Sequence, residues 1–253
     1  MYVIVYDNVC KKFAGSKGLA VDHVSAEIGD GEFITILGSS GCGKTTLLKL
    51  TNRLYEPDSG SIVVKGRDIS TEDPVELRRS MGYVIQQIGL FPHMTIRDNI
   101  TAIPSLMKWD KSRMDERADH LLNLVGLEPS EFRDRYPHQL SGGQQQRVGL
   151  ARALVLDPDI MLMDEPFGAI DAITRLNLQN ELARLHRELG KTVLFVTHDI
   201  NEAFRLGDRV MVMNEGKLLQ FDKPADIVKH PADDFVRTLI ESARSQDSFW
   251  TES

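Results

Sequence analysis

The chain has 253 residues, 42% hydrophobic and 26% charged, the proportions of an ordinary folded protein, which exclude collagen-like, disordered and coiled-coil classes. At about 150 residues per domain, that length makes one large domain or two small ones. A net charge of −7 without a visible basic patch disfavours a nucleic-acid partner, and Cys10 and Cys42 alone build no disulfide framework.

In chain order, residues 2–31 and 60–69 hold short alternating or β-branched runs broken by turn residues, and predict an antiparallel edge sheet. Four runs rich in Val, Ile, Leu and Met, at 33–37, 81–85, 160–163 and 193–196, stop abruptly at polar residues. Continuous apolarity predicts strands covered on both faces, hence a parallel sheet packed between helices. Helical patterns separate them: residues 46–54; residues 115–127, with Ala118, Leu121, Leu122 and Val125 on one stripe and Gly126 as a stop; and Leu178, Leu182, Leu185 and Leu189 at 4, 3, 4 spacing. The stretch 89–158 is helical in pattern with no convincing strand and reads as an insertion. The expected fold is therefore α/β, a doubly wound core with an antiparallel β subdomain and an inserted α-helical subdomain. Ligands of such cores collect beyond the carboxyl ends of the strands, which groups Gly38, Gln86, Asp164, Glu165 and His198 on one candidate edge. No apolar run approaches the roughly 20 residues needed to span a bilayer, and no secretion signal opens the chain. A cytosolic chain that does not itself cross a membrane is expected.

Gly38-Ser39-Ser40-Gly41-Cys42-Gly43-Lys44-Thr45, with Thr46 next, lies between a predicted strand and a predicted helix. The glycines let backbone N–H groups turn inward, the helix N-terminus adds a positive dipole, Lys44 reaches the β- and γ-phosphates, and the Thr45 hydroxyl suits Mg²⁺. A nucleoside triphosphate is the ligand this pattern takes. Asp164 and Glu165 end the third apolar run. Downstream of a phosphate loop they suit a metal carboxylate, Asp164, and a general base, Glu165; alone, such a pair reads as a helix cap or turn. Leu140-Ser141-Gly142-Gly143-Gln144 opens a helix. Ser141 and Gln144 fit a capping box, while the two bare glycines fit a second phosphate contact, and both readings stand. His198, taken alone, reads as structural; the other histidines lack metal-ligand spacing and read as structural or exposed. Cys42 reads as a small filler of the glycine-rich loop rather than a redox group.

These elements, in this order and spacing, resemble the ATP-binding subunit of ABC transporters along nearly the whole chain. The resemblance implies a P-loop NTPase (RecA-like) core and a single ABC ATPase domain over 1–253, made of a nucleotide-binding core with its β subdomain (1–88 and 159–225), a helical signature subdomain (89–158) and a short C-terminal extension (226–253). It implies ATP and Mg²⁺, with Gln86 sensing the metal and the membrane partner, Asp171 in the loop after Asp164-Glu165, His198 on the γ-phosphate, and Phe13 in the place that stacks on adenine. A core aromatic is the other reading of Phe13. Also implied is a head-to-tail homodimer in which Ser141, Gly142, Gly143 and Gln144 of one chain cap ATP held by residues 38–45 of the other, closing on ATP and opening on hydrolysis. Permease subunits in the membrane, a solute-binding protein reached through them, and a place on the cytoplasmic face of the membrane complete the expectation. Gly168-Ala169-Ile170-Asp171 departs from the family's commoner Ser-Ala-Leu-Asp, and Phe13 stands where tyrosine is commoner.

With no membrane span fused to the ATPase, an importer is expected. Residues 81–96 and Tyr136-Pro137-His138-Gln139-Leu140 look most like the osmoprotectant branch, which takes up glycine betaine, choline, carnitine or proline betaine. The long pair of C-terminal regulatory modules often found in that branch is not expected in a chain written to Ser253. The alternatives are an importer ATPase for another small solute such as an amino acid, and an ABC ATPase acting on soluble machinery.

Overall fold

The computed structural model describes residues 2–86, 89–168 and 170–251. Gln87 and Ile88 of the 81–96 stretch, Ala169 of the loop before Asp171, and residues 252 and 253 of the C-terminal extension lie outside the described residues. The elements in chain order are β1 (Tyr2–Lys11), β2 (Val21–Gly29), β3 (Phe33–Gly38), α1 (Lys44–Thr51), β4 (Ser59–Val64), β5 (Arg67–Asp68), α2 (Pro74–Arg79) and β6 (Met81–Val84). There follow α3 (Ile96–Ile100), α4 (Ala102–Leu106), α5 (Lys111–Leu124), α6 (Pro129–Phe132), α7 (Gly142–Ala153), β7 (Ile160–Asp164) and α8 (Ala172–Leu189). The chain ends with β8 (Thr192–Thr197), α9 (Ile200–Leu206), β9 (Arg209–Asn214), β10 (Lys217–Asp222), α10 (Pro224–Lys229) and α11 (Asp234–Thr251). Two compact units result, Met1–Arg78 with Gly190–Ser253, and Arg79–Leu189.

The first unit holds the predicted antiparallel sheet, in the order β2-β1-β4-β5, as a sheet of its own. Its other strands run β10-β9-β3-β8, with β3 parallel to both β8 and β9, and β10 antiparallel to β9. Every residue of β3 and β8 is buried, which is why those segments lack the alternation of a half-exposed strand. Phe33 and Phe195 meet at 5.8 Å between ring centroids. Leu37, Val210 and Val212 pack with Ala203, Ile227, Val236 and Ile240 from α9, α10 and α11.

The second unit contains the parallel pair β6 and β7, paired Val84 to Met163, and the helices from α3 to α8. Between 89 and 158 the described residues form helices, turns and loops without a strand, as the patterning predicts. Helix α5 starts at Lys111, behind Asp110, rather than at 115, and is stopped as expected by Gly126 at φ 68°. Its apolar stripe, Ala118, Leu121, Leu122 and Val125, is buried. The predicted helix over 46–54 is α1, which starts at Lys44 and ends at Thr51.

Candidate functional site

In the first unit, Gly38 closes β3, and the β3–β8 register of Leu37 against Thr197 sets the glycine-rich loop and His198 at the same strand ends. A Cβ on Gly38 would lie 2.2 Å from the Met213 carbonyl oxygen and 2.7 Å from Cys42 Sγ, so the loop leaves the sheet in backbone contact with β9. Gly43 adopts φ 107°, and a Cβ there would lie 2.0 Å from the Ala20 carbonyl oxygen; only glycine meets both conditions. Helix α1 starts at that point without a side-chain cap, which leaves the N–H groups of its first turn for an anion.

Lys44 is 4% exposed, and its Nζ donates to the carbonyls of Gly38 and Ser39 at 2.9 Å each. Among the described residues no carboxylate pairs with it. A buried ammonium among neutral carbonyls is a strong attractor for a negatively charged ligand. Ser39, Ser40 and Gly41 are exposed at the mouth of the loop, and Thr45 and Thr46 are half-buried. Cys42 is buried, and that burial pushes its thiol pKa up, away from the reactive thiolate. The filler reading therefore holds. Phe13 is half-buried, edge-on to Tyr55 at 5.1 Å, so it is not a core aromatic. His198 is exposed.

In the second unit, the β6–β7 register brings Gln86 beside Asp164 and Glu165. Gln86 Nε2 donates to Glu165 Oε2 at 3.2 Å. Asp164 is 6% exposed, while Glu165 is half-buried at φ 43°, a left-handed conformation that costs a non-glycine residue of order 1 kcal/mol. Such strain at a strand end is held where surrounding structure fixes it, as at functional sites. The cap of α8 is Asp171, whose Oδ1 accepts from the Thr174 N–H at 3.0 Å; this bonding holds its carboxyl below the usual carboxylate range. The oxygen donors expected to bind metal, Thr45 hydroxyl, Gln86 amide and Asp164 carboxylate, are of the hard kind that Mg²⁺ selects.

At α7 the capping box is complete: Gln144 N–H donates to Ser141 Oγ at 3.3 Å, and Ser141 N–H to Gln144 Oε1 at 2.9 Å. The glycines that follow divide. A Cβ on Gly143 would lie 2.6 Å from Thr174 Cγ2 of α8, so its glycine serves helix packing. A Cβ on Gly142 would meet nothing within 4 Å among the described residues, and no contact there requires glycine. The capping reading and the ligand-contact reading are thus compatible.

Two features were not singled out by sequence reasoning. Tyr55 is the ring against Phe13. Next to His198, Asp199 Oδ1 accepts from the N–H groups of Asn201 and Glu202, and the buried Glu202 accepts a short hydrogen bond from Thr197 Oγ1. The signal for the first of these caps was present, an aspartate one residue before an apolar helical run.

The family model described as ABC transporter matches residues 21–168. The chain is 52% identical over 242 residues to the carnitine transport ATP-binding protein OpuCA of Listeria monocytogenes serotype 1/2a (strain 10403S), covering 96% of this chain and 60% of that protein. It is 51% identical over 238 residues to the glycine betaine uptake system ATP-binding protein YehX of Escherichia coli (strain K12), covering 94% of this chain and 76% of that one. The chain thus spans about 60% of the length of the first of these relatives. Among solved structures, the dimeric post-hydrolysis ATP-binding cassette MJ0796 bound to ADP and Pi superposes with a TM-score of 0.76 at 35% identity, covering 87% of this chain and 98% of that one. The α/β P-loop cassette expected from the sequence is the fold these neighbours share.

Proposed function

Because the chain belongs to the ABC transporter family, we propose that it is the ATP-hydrolysing subunit of an importer for quaternary-ammonium osmoprotectants such as glycine betaine, carnitine and choline. The observation that carries the ATPase reading is Lys44, buried in a glycine-rich loop at an uncapped helix start, with only the Gly38 and Ser39 carbonyls as hydrogen-bond acceptors among the described residues. In this reading residues 38–46 bind the triphosphate, Phe13 stacks on adenine and His198 contacts the γ-phosphate. By the family resemblance, Thr45, Gln86 and Asp164 are the residues that would hold Mg²⁺, which would neutralise charge on the phosphates when bound. Glu165 takes a proton from the attacking water and Gln86 orients the Glu165 carboxylate.

The dimer is supported by Gly142, whose missing side chain no contact among the described residues explains. A second copy, head to tail, would place Ser141 to Gln144 over the nucleotide of the first, and ATP would favour closure through its better contacts in the closed state. No helix among the described residues is long and apolar enough to cross a membrane; in this reading permease subunits carry the solute, with a solute-binding protein delivering to them. Ile103, Leu106 and Met107, at helical spacing around α4 and 37%, 78% and 40% exposed, offer an apolar surface to such a partner at the cytoplasmic face of the membrane. The solute class rests on the carnitine and glycine betaine relatives.

The test is Mg²⁺-dependent phosphate release by the purified chain, then uptake by proteoliposomes containing it with a permease and binding protein encoded beside it. Glycine betaine or carnitine uptake that requires ATP is the expected result. Turnover retained in folded Lys44→Ala would overturn the ATPase reading. Uptake of sulfate or an amino acid instead would overturn only the solute class.

A further inference from the structure

Strands β1 and β2 pair regularly at Val9 with Val24 and again at Lys11 with Val21, so that one residue, Cys10, faces two, Asp22 and His23. This is a β-bulge, and His23 carries its positive φ of 51°. Bulges re-aim side chains. Here one Cys10, one Asp22 and one His23 ligand atom all come within 4.8 Å of one another. Cys10 is buried, Asp22 half-buried and His23 exposed, so the thiol is sheltered while the imidazole side gives an ion a way in. His23 Nδ1 and Asp22 Oδ1 share a hydrogen bond at 2.6 Å, and the His23 backbone N–H donates to Cys10 Sγ at 3.3 Å.

We infer that Cys10, Asp22 and His23 form a binding site for a divalent transition-metal ion, with zinc the best match and water in the fourth position. The donor set of one thiolate, one imidazole and one carboxylate suits a borderline-soft ion and excludes Mg²⁺ and Ca²⁺, which select oxygen. With Zn–S of about 2.3 Å and Zn–N of about 2.1 Å, a tetrahedral site separates S and N by roughly 3.6 Å, a modest rotamer adjustment from the present spread. Uptake releases the Cys10 thiol proton, while the neutral His23 ring keeps its one proton on the nitrogen that does not bind the ion; Asp22 gives up its hydrogen bond to His23 and is drawn away from Lys217, now 3.7 Å from its Oδ2. The ion would fasten β1 to β2 beside the turn of residues 12–20. Lys11 and Ala20, at the ends of that turn, are already joined by a 2.7 Å backbone hydrogen bond.

The inference is independent of the ATPase reading, and its test uses the full chain without nucleotide. The chelator-stripped, reduced protein is titrated with Co²⁺, then with Zn²⁺ as competitor. One equivalent of cobalt with a thiolate-to-metal charge-transfer band, displaced by zinc, is expected. Cys10→Ser should lose the band. His23→Gln, a change at an exposed side chain that leaves the core intact, should bind more than about tenfold more weakly, a loss that even an outer partner of a ligand can cause, and zinc should raise the melting temperature of wild type but not of this variant. Absence of the band in the wild type, a band that persists in Cys10→Ser, or unchanged affinity in His23→Gln would each overturn the assignment.

Discussion

Gln86 donates its side-chain amide to Glu165 Oε2 at 3.2 Å, an interaction set by the parallel pairing of β6 with β7. It fixes the carboxylate without neutralising it. Glu165→Gln preserves a hydrogen-bond acceptor toward Gln86 and removes the basicity. Turnover should fall by about 10²- to 10⁴-fold, the contribution of a positioned general base, while ATP binding persists and the ATP-bound variant accumulates as a dimer by light scattering. Undiminished phosphate release would remove Glu165 from the base role.

Lys44→Ala takes a buried ammonium out of the loop and leaves the Gly38 and Ser39 carbonyls without their donor. A phosphate contact by a charged donor is worth about 1.5–3 kcal/mol, so ATP affinity should fall by roughly 10- to 100-fold, read by titration with a fluorescent analogue. Far-UV circular dichroism should be unchanged, because the charge was costly to bury.

Gly43→Ala should be a folding lesion and a binding lesion at once. The added methyl would sit 2.0 Å from the Ala20 carbonyl at φ 107°, a conformation costing a non-glycine residue about 1–3 kcal/mol before the clash is counted. Urea denaturation would show the lowered midpoint with an unchanged slope. A variant as stable as wild type would mean that the loop has another conformation.

Asp171 gives a pH-dependent prediction. Its carboxylate accepts from the Thr174 N–H at the start of α8, which lowers its pKa in the folded chain. Depression of an acid's pKa on folding adds stability above the unfolded value, near pH 4, that is lost as pH falls through the lower folded value. Asp171→Ala should therefore melt below wild type at neutral pH, and the gap should close as the solution is acidified below about pH 4. Asp171→Asn retains an acceptor and should lose less.

Where burial on both faces imposes one chemistry on a segment, as in β3, β7 and β8, the strands are legible as unbroken apolar runs, and the loop at 38–45 is legible because its steric demands admit few residues. Strand β10 is not: all six residues are exposed or half-buried, so neither continuous nor alternating apolarity marks it, and its place comes from pairing with β9. Helix α10 is only six residues long, begun by Pro224, too short for a periodic pattern. The Cys10–Asp22–His23 group escapes any spacing rule because a bulge in strand pairing brings these residues together. Conversely, Ser141 to Gln144 shows its capping role locally, whereas the use of Gly142 concerns a surface that no described residue covers.

Gly142 and Gly143 therefore separate packing from association. Gly143→Ala drives a methyl to 2.6 Å from Thr174 Cγ2 and should destabilise the chain by about 1–3 kcal/mol, the usual cost of overpacking. Gly142→Ala meets nothing within 4 Å, and stability should stay within about 0.5 kcal/mol of wild type. If the bare backbone at Gly142 approaches the nucleotide of a second copy, that methyl enters the closed interface alone. ATP-dependent dimerisation of the Glu165→Gln background should then weaken on adding Gly142→Ala, while ATP binding to the monomer is unchanged. Sedimentation of the double variant with ATP measures this. Equal dimer formation with and without the Gly142 methyl would return Ser141 to Gln144 to a purely capping role.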